Sequence, residues 1–197
     1  MNIKSKPMGA YQTNCYIVAV DGKEVIIDPG IGATEWVVAN VKNPLAILNT
    51  HGHFDHIWSN KELKERLHIP IYTPKDDAFM LENDPFGQGT PPSKADVLIN
   101  FEDEIDLNGF KFTFLHFPGH TPGCSGILIQ NAFFSGDFIF QGSIGRVDFP
   151  YSNPSDMKKS IKKFLEIEAD WDIYPGHGGA TTTKQERKNL PMWLSYI

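Results

Sequence analysis

The chain has 197 residues, about 1.3 times a typical domain, so one domain spanning residues 1–197 is expected and two full cores are not. Its 41% hydrophobic and 21% charged residues match a globular protein, and its longest apolar runs (YIVAV, VII, GILI) fall far short of the ~20 residues of a membrane span. With 18 Lys and Arg against 24 Asp and Glu, a formal charge of −6 and no basic run, nucleic acid is excluded as a partner; with no export signal at the N-terminus, the expected location is the cytoplasm.

Cys15 to Val20 and Glu24 to Asp28 are β-branched runs on either side of Asp21-Gly22, the dipeptide of a tight hairpin. Thr34 is expected to cap a helix carrying Trp36, Val37, Val38 and Val41 on one side, and Leu45 to Asn49 to return as a buried strand. Ser59 to Leu67 reads as a helix, Ile71 to Thr73 as a strand, Pro74 to Leu81 as a short helix and Asn83 to Ser93 as a Gly/Pro-rich loop. A second block of strands is expected at Val97 to Ile99, Ile105 to Leu107, Phe110 to Phe117, Ser125 to Gln130 and Ala132 to Ser135. An amphipathic helix over Ser155 to Ile167, a strand over Trp171 to Tyr174 and a last helix near Thr183 to Leu194 complete the pattern. Two blocks of strands, each followed by helix, predict an α/β fold, a four-layer αββα sandwich of two mixed sheets face to face with helices outside. Cys15 and Cys124 lie far apart without a CxxC partner and read as packing residues.

Of the 7 histidines, His51, His53 and His56 fall within six positions, in THGHFDH with Asp55. Imidazole and carboxylate are the donors that zinc, iron and manganese accept where water or substrate must also bind. His51 and His53, at the end of a predicted strand, can face one ion, while Asp55 and His56 turn to a second. His120 in FPGHTPG, Asp137 in FFSGDF and His177 in YPGHGG look like completing ligands, each at a strand-to-loop junction beside glycine. His116, four residues before His120, reads as a packing histidine or one that supports the ligands, and His68 as a surface residue.

The pattern HxHxDH followed by His120, Asp137 and His177 resembles the metallo-β-lactamase-fold hydrolases. Within them the chain is similar to the short, bacterial glyoxalase II-like enzymes, through NCYIV, VIIDPG, THGHFDH, PGHTPGC, SGDFIFQGSIGRVDFP and PGHGGATTTKQERKNLP. The resemblance assigns His51, His53 and His120 to one divalent ion and Asp55, His56 and His177 to the other. Asp137 bridges the two together with a hydroxide, zinc is the first choice of metal with iron or manganese as alternatives, and Asp28 supports the metal-binding loop.

A hydroxide held by two dications exists near neutral pH and needs an electrophile. The resemblance implies a thioester, S-D-lactoylglutathione or a related hydroxyacyl thioester, whose thiolate leaves without obligatory protonation; Asp55 orients the nucleophile while remaining a ligand. Ser143, Gly145 and Arg146, in the loop after Asp137, are the candidate substrate contacts, with Arg146 the basic residue for a substrate carboxylate or else a partner of Asp148. Glyoxalase II enzymes carry a further C-terminal helical region that grips glutathione, and this chain is expected to do without it. Rival readings are a mononuclear iron persulfide dioxygenase of the same fold, with His51, His120 and Asp137 as its triad, and a lactonase or esterase. The loop GSIGRVDF speaks against the dioxygenase, whose relatives resemble GCGRTDF there.

Overall fold

The computed structural model describes residues 1–102 and 104–197. The first half runs β1 (Asn2–Met8), β2 (Thr13–Val20), β3 (Lys23–Ile27), α1 (Thr34–Asn40), β4 (Pro44–Leu48), α2 (Phe54–Ile57), α3 (Asn60–Leu67), β5 (Ile71–Pro74), a 3-10 turn (Lys75–Asp77), α4 (Ala78–Asn83) and β6 (Val97–Ile99). The second runs β7 (Glu104–Leu107), β8 (Phe110–His116), β9 (Ser125–Ile129), β10 (Ala132–Gly136), the ribbon β11 (Ile139–Phe140) and β12 (Ser143–Ile144), α5 (Pro154–Leu165), β13 (Asp172–Pro175), β14 (Thr181–Thr182) and α6 (Thr183–Tyr196).

Both large sheets are mixed. One has the order β1-β2-β3-β4-β5-β6, antiparallel through β3 and parallel from β3 to β6. The other has the order β14-β13-β10-β9-β8-β7, with β10 and β13 as its parallel pair. The period of two along each strand sorts side chains into layers. Val25 and Ile27 of β3, Ala46 and Leu48 of β4, Phe112 and Phe114 of β8 and Phe134 of β10 fill the space between the sheets. Ile26 and Ile47 point the other way, under Val37 of α1 and Leu63 of α3. Phe133 likewise leaves the central layer for Ile161 and Phe164 of α5 and Leu190 of α6. Three apolar layers between four layers of secondary structure make the αββα sandwich that the sequence predicts.

Three expectations need correction. Val97–Ile99 does not open the second sheet; it pairs in parallel with Tyr72 to Pro74 as the edge of the first. Thr34 is the first residue of α1, not its cap; its hydroxyl donates to Glu62 of α3 at 3.0 Å. The segment after β5 splits at Asp77 into a 3-10 turn and α4, which turns the Asp77 side chain inward. The cysteines are free and buried, in the two outer apolar layers. Among the described residues no helix is long and apolar enough to cross a membrane.

The two sheets are stitched together at one end. Asn14 of β2 donates its backbone N–H to Gly176 (2.7 Å) and its side-chain amide to the carbonyls of Pro175 (3.0 Å) and Gly178 (2.9 Å). The Tyr16 hydroxyl donates to Pro175 (2.6 Å), and Thr13 forms an antiparallel bridge with His177. This seam lies beside the ends of β4, β10 and β13, where the candidate ligands begin.

Candidate metal centre

All seven candidate ligands meet at that end of the sandwich. His51 and His53 follow β4 and Asp55 and His56 lie in α2, while His120 follows β8, Asp137 follows β10 and His177 follows β13. His51, His53 and His120 bring three ring nitrogens within 4.8 Å of one another, and Asp55, His56 and His177 bring two nitrogens and a carboxylate oxygen equally close. Asp137 stands between the sets: its Oδ2 is 3.4 Å from both His120 Nε2 and His177 Nε2, and its Oδ1 is 3.3 Å from His56 Nε2.

The second nitrogen of each ring fixes the direction of the first. His120 Nδ1 faces the Arg146 carbonyl at 2.8 Å and His177 Nδ1 the Tyr11 carbonyl at 3.0 Å. A carbonyl only accepts, so in both rings Nδ1 carries the proton and Nε2 presents a lone pair to the cluster. His56 Nδ1 donates to Asp28 Oδ2 (2.9 Å). The Thr50 hydroxyl donates to the same oxygen (2.6 Å), which leaves it to accept from His51 Nδ1 (3.0 Å). Four inward-facing Nε2 atoms follow from four oxygen acceptors placed behind them.

Asp28, Thr50 and Thr13 set this geometry. Asp28 lies at the end of β3 with φ +48° and also accepts from Thr50 N at 2.8 Å, so its oxygens are engaged behind the rings although it lies close to His51 and His56. Thr13 donates to Asp55 Oδ2 at 2.6 Å. Two glycines admit the close approach: a Cβ on Gly176 would lie 2.2 Å from Asp137 Oδ1, and one on Gly145 would lie 1.8 Å from the Asp137 carbonyl oxygen.

Electrostatics divides the rings by their neighbours. Burial, followed by the crowd of other imidazoles, lowers His51 and His120 and holds His53 at about 3. Burial would lower His56 and His177 too, but the carboxylates beside them prevail, taking His56 well above its ordinary value and His177 to about 9. Burial in turn would raise Asp55 and Asp137, yet His56 and His177 hold Asp55 at about 2 and Asp137 well below the usual carboxylate range.

The donor set fits divalent cations. His56 Nε2, His120 Nε2 and Asp137 Oδ1 are buried without a hydrogen-bond partner, a costly arrangement for polar atoms unless a cation satisfies them. Separations of 3.2 Å between His51 Nε2 and His53 Nδ1 and of 3.3 to 3.6 Å among the other donors match the roughly 3.3 Å between ligands about 2.05 Å from a tetrahedral ion.

The other predicted site residues divide. His53, Asp55, His120, Asp137 and His177 form the floor of a cleft of about 580 Å³ whose walls are largely aromatic. Arg146 lines that cleft, with its guanidinium bound at two points to Asp148 (2.8 and 2.7 Å). Ser143 and Gly145, expected at the substrate, lie outside the lining: Ser143 pairs with Phe140 in the ribbon, and Gly145 packs behind Asp137. His116 stacks on Phe101 at 3.8 Å and pairs through Nε2 with the Pro122 carbonyl, touching the cluster only through the turn that follows His120. His68 is exposed at the end of α3.

Sequence reasoning missed Asp77. Fully buried, it accepts from Gly52 N (2.9 Å) between His51 and His53, and from Gly123 N and the Thr121 hydroxyl (both 2.6 Å) after His120, so one carboxylate braces both loops that carry these three histidines. Nothing in KDDAF separates it from its exposed neighbour Asp76.

A model of the metallo-beta-lactamase superfamily matches residues 8–177. The hydroxyacylglutathione hydrolase GloC of Haemophilus influenzae is 38% identical, with 97% of each chain covered. Among solved structures, the BLEG-1 B3 metallo-beta-lactamase superposes with a TM-score of 0.87 at 33% identity, covering 98% of this chain and 99% of that one. TTHA1623, solved in a di-iron-bound form, gives 0.82 at 32% identity, covering 96% and 99%. With this likeness over nearly its whole length, and with the ligand cluster in place, the chain belongs to the metallo-beta-lactamase superfamily and is one of its metal-dependent hydrolases.

Proposed function

We propose that the chain is a binuclear thioester hydrolase acting on a small hydroxyacyl thioester, with S-D-lactoylglutathione as the reference substrate. His51, His53 and His120 would hold one divalent ion, Asp55, His56 and His177 the other, with Asp137 shared between them. Zinc is the first choice; iron suits the same donors, in keeping with the di-iron form of TTHA1623, and so does manganese. The observation that carries the reading is the set of four imidazoles whose Nδ1 atoms are tied to oxygen acceptors, leaving Nε2 directed inward.

When bound, such ions supply an activated water as nucleophile and a Lewis acid for the substrate carbonyl. The chain's own residues prepare that reaction. Asp55, held by Thr13 at 2.6 Å, presents a fixed carboxylate at the cleft floor and orients the nucleophile. Asp28 and Thr50 keep His51 and His56 in the tautomer that donates outward, so these rings need no reorganisation when a cation arrives. The thiolate leaves without a proton donor, consistent with a cleft lined by aromatic rings and ligands. The name of the GloC relative supports the hydroxyacyl thioester.

The test is a panel of thioesters and lactones assayed on purified protein whose metal content is measured on the same sample. Thioester turnover with two metal ions per chain is expected. Lactone or ester turnover without thioester turnover would replace the reading with a lactonase or esterase. One iron per chain with rapid oxygen uptake on glutathione persulfide would replace it with the dioxygenase.

A further inference from the structure

Five aromatic rings stand around the mouth of the cleft: Tyr11 from the β1–β2 turn, Phe54 from α2, Phe86 from the loop after α4, Phe140 from β11 and Phe149 from the loop after β12. They come from five separate segments, yet their rings touch the ligands or each other. Tyr11 and Phe54 meet edge to face at 5.1 Å, Phe86 lies 4.9 Å from His53, Phe140 5.9 Å from His177, and Phe149 6.0 Å from His53. Tyr11 and Phe149 remain substantially exposed, at 55% and 38%, although water-facing rings of this size find burial favourable.

Charge at the mouth is sparse and paired. Among the described residues lining the cleft, Arg146 is the one cation besides the histidines, and Asp148 fills its two-pronged face. Its guanidinium also lies 4.2 Å from the centre of the Phe149 ring and packs against that face. Gln88 is neutral. Glutathione carries two carboxylates, which gain little from an exposed guanidinium already paired with Asp148 and nothing from aromatic walls. An uncharged thiol with a flat or apolar body would instead remove its own surface and that of the rings from water.

We propose that this aromatic collar is the binding site for the thiol half of the substrate, and that it takes a neutral, apolar or aromatic thiol in preference to glutathione. The inference rests on the thioester reading above, keeps its hydroxyacyl half and departs from its reference substrate in the thiol half. Arg146 acts here as a positioning residue for Phe149, not as a clamp on a substrate carboxylate.

The test measures binding without turnover. Two thioethers share a 2-hydroxypropyl arm in place of the lactoyl group; one carries benzyl mercaptan as its thiol half, the other glutathione. Calorimetry on the metal-loaded enzyme is expected to show the benzyl compound binding at least about tenfold tighter. Its affinity stays unchanged as salt rises from about 0.05 M to about 0.5 M. Phe86→Ala and Phe149→Ala each weaken it about three- to tenfold, at unchanged metal content and melting temperature. Arg146→Gln weakens the benzyl compound and leaves the glutathione compound alone. Tighter binding of the glutathione compound, with an affinity that falls with salt and with Arg146→Gln, would overturn the proposal. Neither compound has a thioester to hydrolyse, so a failure to cleave any thioester sinks the catalytic reading without deciding this comparison.

Discussion

Replacing Asp77 with asparagine perturbs one buried group whose energetic share can be worked out. The carboxyl accepts three hydrogen bonds, yet burial outweighs them and pushes its pKa from 3.8 up to about 6. Between those values the folded protein keeps a proton that the unfolded chain has released, so this group's stabilising share is complete below 3.8 and is lost as pH rises through 6. The whole difference is ~3 kcal/mol, of which about 1.4 kcal/mol disappears between about pH 5 and about pH 7.5. The D77N protein has no such titration. Its amide oxygen satisfies one backbone N–H and its amide nitrogen opposes another donor, an offset of about 1–3 kcal/mol at every pH. Urea unfolding of both metal-free proteins across this window reads the difference directly, because the histidine cluster titrates in both and cancels. Wild type should lose ground to D77N by about 1.4 kcal/mol as pH rises. Parallel curves would refute the assignment of a raised pKa to Asp77.

Further outcomes follow from the same contacts. Asp28→Asn removes the shared acceptor behind His56 and Thr50 and is expected to lower metal affinity about 10- to 100-fold, read by competition with a chromogenic chelator; unchanged affinity would remove Asp28 from the orienting role. Gly176→Ala sets a methyl group 2.2 Å from Asp137 Oδ1 and 2.7 Å from His56 Cε1, so metal analysis should find less than the wild-type content in a protein with native circular dichroism, and full content would contradict the close packing. Glu186, fully buried in α6, holds Gly142 N (3.0 Å) and the Thr181 hydroxyl (2.6 Å). Glu186→Ala should lower the melting temperature by roughly 3–10 °C, from about 1–3 kcal/mol for the unsatisfied groups, while metal binding persists; an unchanged melting temperature would show that water replaces the carboxylate.

The sandwich is legible in the sequence because strand alternation and turn dipeptides are local signals: Asp21-Gly22 and Asn108-Gly109 sit where the β2–β3 and β7–β8 turns form. Val97 to Ile99 carries no local mark of its partner, and its return to the first sheet depends on β5 lying open at that edge. The seven candidate ligands stand out by residue type, five of them also by an adjoining glycine, and all seven converge. What supports them does not stand out. Thr50 and Thr13 are ordinary threonines until Asp28, His51 and Asp55 are folded against them, and Asp77 looks like Asp76 until the 3-10 turn directs one inward and the other out. The collar is equally silent, since its rings come from five unrelated segments and are joined only by the fold.

The bonds from Thr13, Asn14 and Tyr16 to Pro175, Gly176, Gly178 and His177 tie the second strand of one sheet to the last turn of the other at the floor of the cleft. These bonds oppose a hinged opening of the two sheets at that end. The rim is built of turns and loops that carry Tyr11, Phe86 and Phe149, segments whose motions are faster than a parting of packed layers.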